Sequence, residues 1–149
     1  EKGLVTIVYA PVENRVMFGI RNNKHIIGYT GRSLTSKPKW KKFGDTTHLF
    51  SCGLGPIGVL VEDAPSACAV GVLEGYTGLS LLGTTLTRQH KQELKSYKQI
   101  IICLDPDASS KSFSILKSLD CIVPATIRLI TDDLKWFKPD KIKEILENV

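Results

Sequence analysis

Two short apolar runs in this chain end directly on acidic residues. Residues 57–61 (IGVLV) lead into Glu62, and residues 99–104 (QIIICL) lead into Asp105 and Asp107. Short, nearly unbroken apolar runs are typical of strands that are buried on both faces of a parallel sheet. In open α/β sheets, ligands bind beyond the carboxyl ends of the strands. We therefore expect these carboxylates to converge on one site if the two strands are neighbours.

Carboxylates that are held close together repel one another, and they stay ionised only if a cation lies among them. Oxygen ligands that leave room for bound water are what Mg²⁺ prefers, and Mn²⁺ accepts the same ligands. Such ions commonly serve phosphate chemistry. The pattern therefore predicts a site for Mg²⁺, or for Mn²⁺ in its place, among Glu62, Asp63, Asp105 and Asp107. The simpler interpretation is that these acids form turns and cap helices.

The second half of the chain alternates between strand and helix patterns. This alternation predicts an α/β domain with a mainly parallel sheet flanked by helices. The predicted strands are 57–61, 79–82, 99–104 and 121–130, the last of them bent or divided at Pro124. The predicted helices are 65–74, 85–95, 109–119 and 139–148, with Phe113, Leu116, Ile142, Ile145 and Leu146 among the residues that face inward.

The first half of the chain has the short β-rich runs of a small sheet. Strands are predicted over 5–10, 15–21 and 25–32, with a hairpin turn at 22–24, because Asn tolerates positive φ. Residues 33–45 are predicted as a polar, basic loop, and 47–52 as a further short strand. The glycine-rich segment 53–56 is the predicted boundary between a small basic β-rich subdomain (1–55) and the α/β domain (56–149).

The net charge of +5 is unevenly distributed along the chain. Residues 1–55 contain nine Lys and Arg against three Asp and Glu, whereas residues 56–149 contain eleven against twelve. A basic front half beside an acidic site suits an enzyme that acts on a polyanion. No apolar stretch approaches the roughly 20 residues of a membrane span, and the cysteines have no paired spacing. We expect a cytoplasmic protein that does not bind membranes.

Four segments occur in an order that resembles the TOPRIM fold of primases and topoisomerases. They are VLVEDAPSA (59–67), SLLGTTLT (80–87), IICLDPDASSK (101–111) and FKPDKIKEIL (137–146). The stretch from 15 to 40 is similar to the one that precedes TOPRIM in DnaG-type bacterial and bacteriophage primases, where it belongs to the RNA-polymerising core. The pattern VEDxxSA resembles a variant of the phage-type enzymes, which would place the protein in the host cytoplasm.

The resemblance implies a DNA primase catalytic core, a nucleotidyltransferase that synthesises short RNA primers on single-stranded DNA. Its substrates would be ribonucleoside triphosphates, and its implied partners are a replicative helicase and a zinc-binding module outside this chain. Asp105 and Asp107 would hold the metal ion, and Glu62 would hold it or accept the proton of the attacking 3′-hydroxyl. Ser66 and Lys138 depart from the family pattern, because many relatives have acids at these positions.

The resemblance also suggests residues that contact the nucleic acid and the nucleotide. Arg can bind phosphate through two parallel hydrogen bonds, and a Trp among lysines can stack on an unpaired base. Lys111 would contact the phosphates of the nucleotide, Asp63 is either a helix cap or a site residue, and Ser66 is a ligand-orienting hydroxyl or a buried small residue. The candidate nucleic-acid contacts are Arg21, Arg32, Lys39, Trp40, Lys41 and Lys42, each with a solvent-facing role as the alternative.

Three other functions remain open from the sequence. A strand that runs into Asp105, Asp107 and Ser109 is also found in haloacid-dehalogenase-type phosphatases, where the first Asp is the nucleophile. That motif normally opens its domain, whereas here it lies two-thirds of the way along the chain. The chain could instead be a non-catalytic TOPRIM module that only binds DNA, or a TOPRIM nuclease.

Overall fold

The computed structural model of the protein describes residues 5–83 and 85–147. The described part contains a four-stranded antiparallel sheet, which is followed by a five-stranded sheet with helices on both faces. The first sheet has the order β1-β2-β3-β4. Its strands are β1 (Ile7–Ala10), β2 (Arg15–Asn22), β3 (His25–Ser33) and β4 (Trp40–Gly44).

The second sheet has the order β5-β7-β6-β8-β9, and only β5 is antiparallel to its neighbour. Its strands are β5 (Phe50–Gly53), β6 (Ile57–Val61), β7 (Tyr76–Ser80), β8 (Gln99–Ile102) and β9 (Ala125–Ile127). The helices are α1 (Ala64–Gly71), α2 (Arg88–Leu94), α3 (Ser109–Ser118) and α4 (Pro139–Glu147). This arrangement confirms the predicted α/β class, with a mainly parallel sheet, flanking helices and a preceding β-rich part.

Strand β6 is apolar throughout, and β8 is apolar after Gln99, because both faces of the second sheet are covered. Successive side chains of a strand point to opposite faces. Val59 and Ile101 pack in one core cluster with residues of α1 and α4, whereas Leu60 and Ile102 pack in another with residues of α2 and α3. The unbroken apolar runs therefore serve two separate cores, one on each face.

Several strands differ from the sequence prediction. The predicted basic loop contains β4, which pairs with β3 from Gly28 to Arg32. The change from the first sheet to the second comes between β4 and β5, before the glycine-rich segment 53–56, because β5 pairs with β7. Only Ala125–Ile127 of the predicted strand 121–130 is extended in the sheet.

Strand β7 begins three residues before the predicted strand 79–82. Gly78 lies inside the strand, where helix α1 crosses it closely. A Cβ at this position would be 1.9 Å from the carbonyl oxygen of Ala67. Only glycine allows the backbone of α1 to approach so near.

The helices were predicted in the correct places, with errors at their ends and on one face. Helix α1 ends at Gly71 rather than at residue 74, and the predicted last residue of α4, Asn148, lies outside the described residues. Phe113 on α3 was predicted to face inward, but its side chain is 57% exposed, and Ser112 and Ile115 are the buried residues of that helix. Within the described residues, no helix is both long and apolar enough to span a bilayer.

Candidate active site

The acidic residues that follow β6 and β8 meet at the carboxyl edge of the second sheet. These strands are adjacent and parallel, and Leu60 lies beside Ile102 in their register. The chain therefore leaves both strands at the same edge. The backbone N–H of Asp105 donates a hydrogen bond to Oε1 of Glu62 over 3.3 Å. Two of the three predicted metal-binding residues are thus neighbours.

A cleft of about 260 Å³ opens at this edge, between strand β4 of the first sheet and the loops that follow β6, β7 and β8. Four carboxylates and three lysines line it, so that both signs of charge are present. The residues that line the cleft are Thr30, Lys39, Trp40, Lys42, Glu62, Asp63, Ala64, Leu82, Gly83, Asp105, Asp133 and Lys135.

Asp133 and Lys135 were not predicted from the sequence. Asp133 directly precedes a 3₁₀ turn, Leu134–Trp136, and Lys135 lies within it; the turn packs against α1. Nζ of Lys135 lies 2.6 Å from Oδ2 of Asp63 and 3.3 Å from Oδ2 of Asp133. A signal was available, because the mainly apolar residues 127–130, interrupted by Arg128, are also followed closely by acids, Asp132 and Asp133. This third acid-tipped run follows the strand β9, next to β8 in the sheet.

Asp63 caps helix α1. Its Oδ1 accepts a hydrogen bond from the backbone N–H of Ser66 over 2.9 Å, and its Oδ2 pairs with Lys135. An aspartate at this position satisfies a backbone donor that has no partner within the helix. Asp63 is thus the cap of α1, and it also lines the cleft. Ser66 is 1% exposed, in agreement with its interpretation as a small buried residue.

Crowding among the carboxylates changes their affinity for protons. Burial, together with the negative charges of Glu62, Asp133 and Asp63, raises the pKa of Asp105 to about 7. The pKa of Glu62 is also raised, chiefly by burial, although the backbone N–H of Asp105 opposes the change. Each carboxylate makes its neighbour harder to ionise. The two carboxyl groups therefore hold protons more tightly than isolated ones do.

Asp107 does not share this position. Pro106 begins a 3₁₀ turn, Pro106–Ala108, and Asp107 within it is exposed and does not line the cleft. Its charge still reaches Glu62, whose pKa it helps to raise. In the described parts of the chain, no three His, Cys, Asp or Glu side chains are grouped to hold a metal ion. The predicted three-carboxylate group is therefore not assembled.

The side chains that are assembled nevertheless fit a hard divalent cation. Mg²⁺ usually binds through one or two carboxylates and completes its shell with water and with phosphate oxygens of the substrate. Glu62 and Asp105 provide two such carboxylates at the same edge of the sheet. These two residues would hold the ion.

The basic residues of β4 divide between the two faces of the strand. Lys39 and Lys42 line the cleft, as does Trp40. Lys41 lies on the opposite face, where it forms a salt bridge of 3.6 Å with Glu13. Alternation along the strand explains why Trp40 and Lys42 lie on one face and Lys41 on the other, whereas Lys39 lies just before the strand.

Trp40 also connects the two sheets. Its ring lies 6.0 Å from that of Phe18, which in turn packs edge-on against Phe50 of β5 at 5.9 Å. The guanidinium group of Arg32 lies 5.7 Å from the centre of the Trp40 ring. Trp40 therefore supports the wall of the cleft in addition to facing it.

Two other candidate contacts lie away from the cleft. Arg21 donates hydrogen bonds to Oγ1 of Thr6 at 2.6 Å and to the carbonyl of Lys24 at 2.9 Å, which places it at the β2–β3 hairpin. Lys111 is exposed in the first turn of α3 and does not line the cleft. The structure thus brings Lys39, Trp40 and Lys42 to the acidic residues and leaves Arg21 and Lys111 outside.

Comparison with known proteins identifies similar domains. Residues 61–117 match the family model described as Toprim-like. No curated protein shows significant sequence similarity to the chain. A DnaG primase catalytic domain bound to single-stranded DNA is similar over 90% of this chain, with 20% identity and a TM-score of 0.73.

Two further solved structures are similar. The Aquifex aeolicus primase, with its zinc-binding and RNA polymerase domains, has 24% identity over 97% of this chain and a TM-score of 0.65. The RNA polymerase domain of Mycobacterium tuberculosis primase DnaG has 14% identity over 90% of this chain and a TM-score of 0.73. The chain covers 51%, 40% and 55% of these three structures respectively.

Proposed function

We propose that this chain, which has a Toprim-like domain within the fold of the DnaG primase catalytic core, is the nucleotidyl-transferring part of a DNA primase. It would join ribonucleotides into short RNA primers on a single-stranded DNA template. One observation supports this most strongly. The backbone N–H of Asp105 donates a hydrogen bond of 3.3 Å to Oε1 of Glu62, which brings the two acids together in a cleft that Lys39 and Lys42 also line.

The chemistry needs alignment and charge more than covalent help from the protein. A bound Mg²⁺ or Mn²⁺ supplies positive charge to the triphosphate when Glu62 and Asp105 hold it. Glu62 has a raised pKa because of burial, which suits a second role in accepting the proton of the attacking 3′-hydroxyl. Asp107, which is exposed beside the site, adds negative potential that attracts the cation.

The basic wall is the proposed contact with the template. Lys39 and Lys42 face the acids across the cleft, so that DNA bound to them lies next to the metal site. Phosphate contacts of this kind position a strand without reading its sequence. A ribonucleoside triphosphate would occupy the space between the two walls. The zinc-binding module, the replicative helicase and the cytoplasmic location belong to the same proposal.

A non-catalytic Toprim-like module that binds DNA is the second candidate. The observation that favours it is the lack, among the described residues, of three grouped metal ligands. The two functions differ in whether the cleft binds a divalent ion at all.

Titration calorimetry with Mn²⁺ and assays of primer synthesis decide between them. We expect wild type to bind Mn²⁺, and Asp105→Asn to lose this binding and to reduce primer synthesis by about 100-fold or more. Binding of single-stranded DNA should change less than about twofold, because Asp105 lies opposite the lysines. Asp120→Asn, an exposed acid after α3, is the matched control. Wild type that binds DNA but not Mn²⁺ would support the non-catalytic module.

A further inference from the structure

The ammonium group of Lys135 lies inside the acidic cleft, between two carboxylates from distant parts of the chain. Nζ is 2.6 Å from Oδ2 of Asp63 and 3.3 Å from Oδ2 of Asp133. The three side chains are only 22%, 17% and 23% exposed, in the order Lys135, Asp63, Asp133. Ion pairs at this depth are screened by salt less than surface pairs are. Lys135 is therefore a fixed positive charge of the cleft.

Both oxygens of Asp63 already have hydrogen-bond donors. Oδ1 accepts the backbone N–H of Ser66 at 2.9 Å, and Oδ2 pairs with Lys135. Oδ2 of Asp133 pairs with the same ammonium group. A divalent ion that bridged these two Oδ2 atoms would have to displace Lys135.

Glu62 and Asp105 are in a different situation. Among the residues that the structure describes, no Lys, Arg or His forms a salt bridge with either carboxylate. Asp63 and Asp133 thus have a cation of their own, whereas Glu62 and Asp105 do not, although Asp105 lies within hydrogen-bond reach of Asp133. Because carboxylates crowded together need positive charge, Glu62 and Asp105 are the pair that attracts a metal ion.

We propose that Lys135 takes the place of a second divalent cation, so that the cleft binds a single Mg²⁺ or Mn²⁺, at Glu62 and Asp105. The inference rests on the proposed function, because it assumes that a metal ion binds at those two residues. Lys135 is a positioning residue in this scheme. It fixes Asp63 and Asp133 and sets the number of metal ions, while the bound ion faces the substrate.

The test is to count bound Mn²⁺ ions by electron paramagnetic resonance and titration calorimetry. We expect one Mn²⁺ per chain in wild type, in Lys135→Arg, which keeps the charge, and in Lys141→Gln. Lys141 is the matched control, because it forms a surface ion pair with Glu144 at 3.2 Å, outside the cleft. We expect two Mn²⁺ in Lys135→Gln, with the second ion located between Asp63 and Asp133 by anomalous scattering.

One Mn²⁺ in a folded Lys135→Gln, with unchanged affinity, would overturn the role of Lys135 and leave the proposed function intact. Absence of Mn²⁺ from both wild type and Lys135→Gln would overturn the proposed metal site as well. If Lys135→Gln does not fold, the wild-type count decides. Two ions bound to wild type with similar affinity would contradict the inference, because Lys135 would then exclude nothing.

Discussion

The carboxylate of Glu62 accepts a hydrogen bond of 3.3 Å from the backbone N–H of Asp105, forty-three residues further along the chain. This contact joins the ends of β6 and β8, so the two acids are held together by the parallel pairing of the strands themselves. The backbone donor partly offsets the electrostatic cost of placing the two carboxylates side by side. The sheet therefore builds the acidic site before any ligand is bound.

Asp105→Asn should stabilise the metal-free protein and abolish the rise in melting temperature that added metal causes. The substitution takes one negative charge from a crowded site, so we expect the melting temperature without metal to rise by a few degrees. Added Mn²⁺ should raise the melting temperature of wild type, but not of the variant. Asp107→Asn is the matched control, because Asp107 is exposed and does not line the cleft, and it should keep most of the response. Equal responses in all three proteins would contradict the site.

The stability contribution of Asp105 should depend on pH without metal. Its pKa is about 7 in the folded protein against an ordinary value of 3.8, so the folded state binds this proton more tightly than the unfolded state does. The unfolding free energy should therefore rise, as far as this group is concerned, when pH falls through 7 towards 4.

Urea denaturation of wild type and Asp105→Asn at about pH 8 and about pH 5 measures this effect. The difference in unfolding free energy between the two proteins removes the contributions of the other titrating groups, which both proteins share. The advantage of the variant should be largest at the higher pH, where wild-type Asp105 is ionised, and should shrink at the lower pH. A difference that does not change with pH would show that Asp105 titrates normally.

The faces of β4 predict which lysines bind DNA. Affinity for single-stranded DNA falls with salt, with a slope of about 0.7 for each phosphate contact. Replacing both Lys39 and Lys42, which line the cleft, with Ala should reduce the slope by about 1.4. Lys41→Ala, on the opposite face and paired with Glu13, should leave it nearly unchanged. Fluorescence anisotropy at several salt concentrations measures this, and an equal effect of Lys41→Ala would refute the assignment of faces.

Gly78→Ala should destabilise the fold. The added Cβ would lie 1.9 Å from the carbonyl oxygen of Ala67, so helix α1 must move away from β7, at a cost of about 3 kcal/mol of unfolding free energy. Gly75→Ala is the comparison. Gly75 has a φ of +89° and no atom within 4 Å, so only backbone strain of about 1 kcal/mol is expected. Urea denaturation of both variants measures the difference, and a smaller effect at Gly78 would contradict the close helix crossing.

The features that depend on local pattern were predicted well. The unbroken apolar runs at 57–61 and 99–104 identified the central strands, because both faces of the sheet are buried. The acids that follow them identified Glu62 and Asp105, since adjacent parallel strands end at the same edge.

The features that depend on packing between distant segments were not predicted. The predicted strand 79–82 leaves out Gly78, because the approach of Ala67 to this residue has no signal in the local sequence. Lys135 comes to Asp63 from seventy-two residues away, and no spacing in the sequence indicates such a pair. The exposed position of Asp107 results from the turn at Pro106, which rotates the second acid of the motif out of the cleft.

The rings of Trp40, Phe18 and Phe50 pack together and connect the two sheets through nonpolar contacts. Nonpolar contacts of this kind are insensitive to ionic strength, whereas the attraction between lysines and a DNA backbone weakens as salt rises. If single-stranded DNA binds to Lys39 and Lys42 as proposed, higher salt would weaken that binding while the packing of these rings holds the two sheets together.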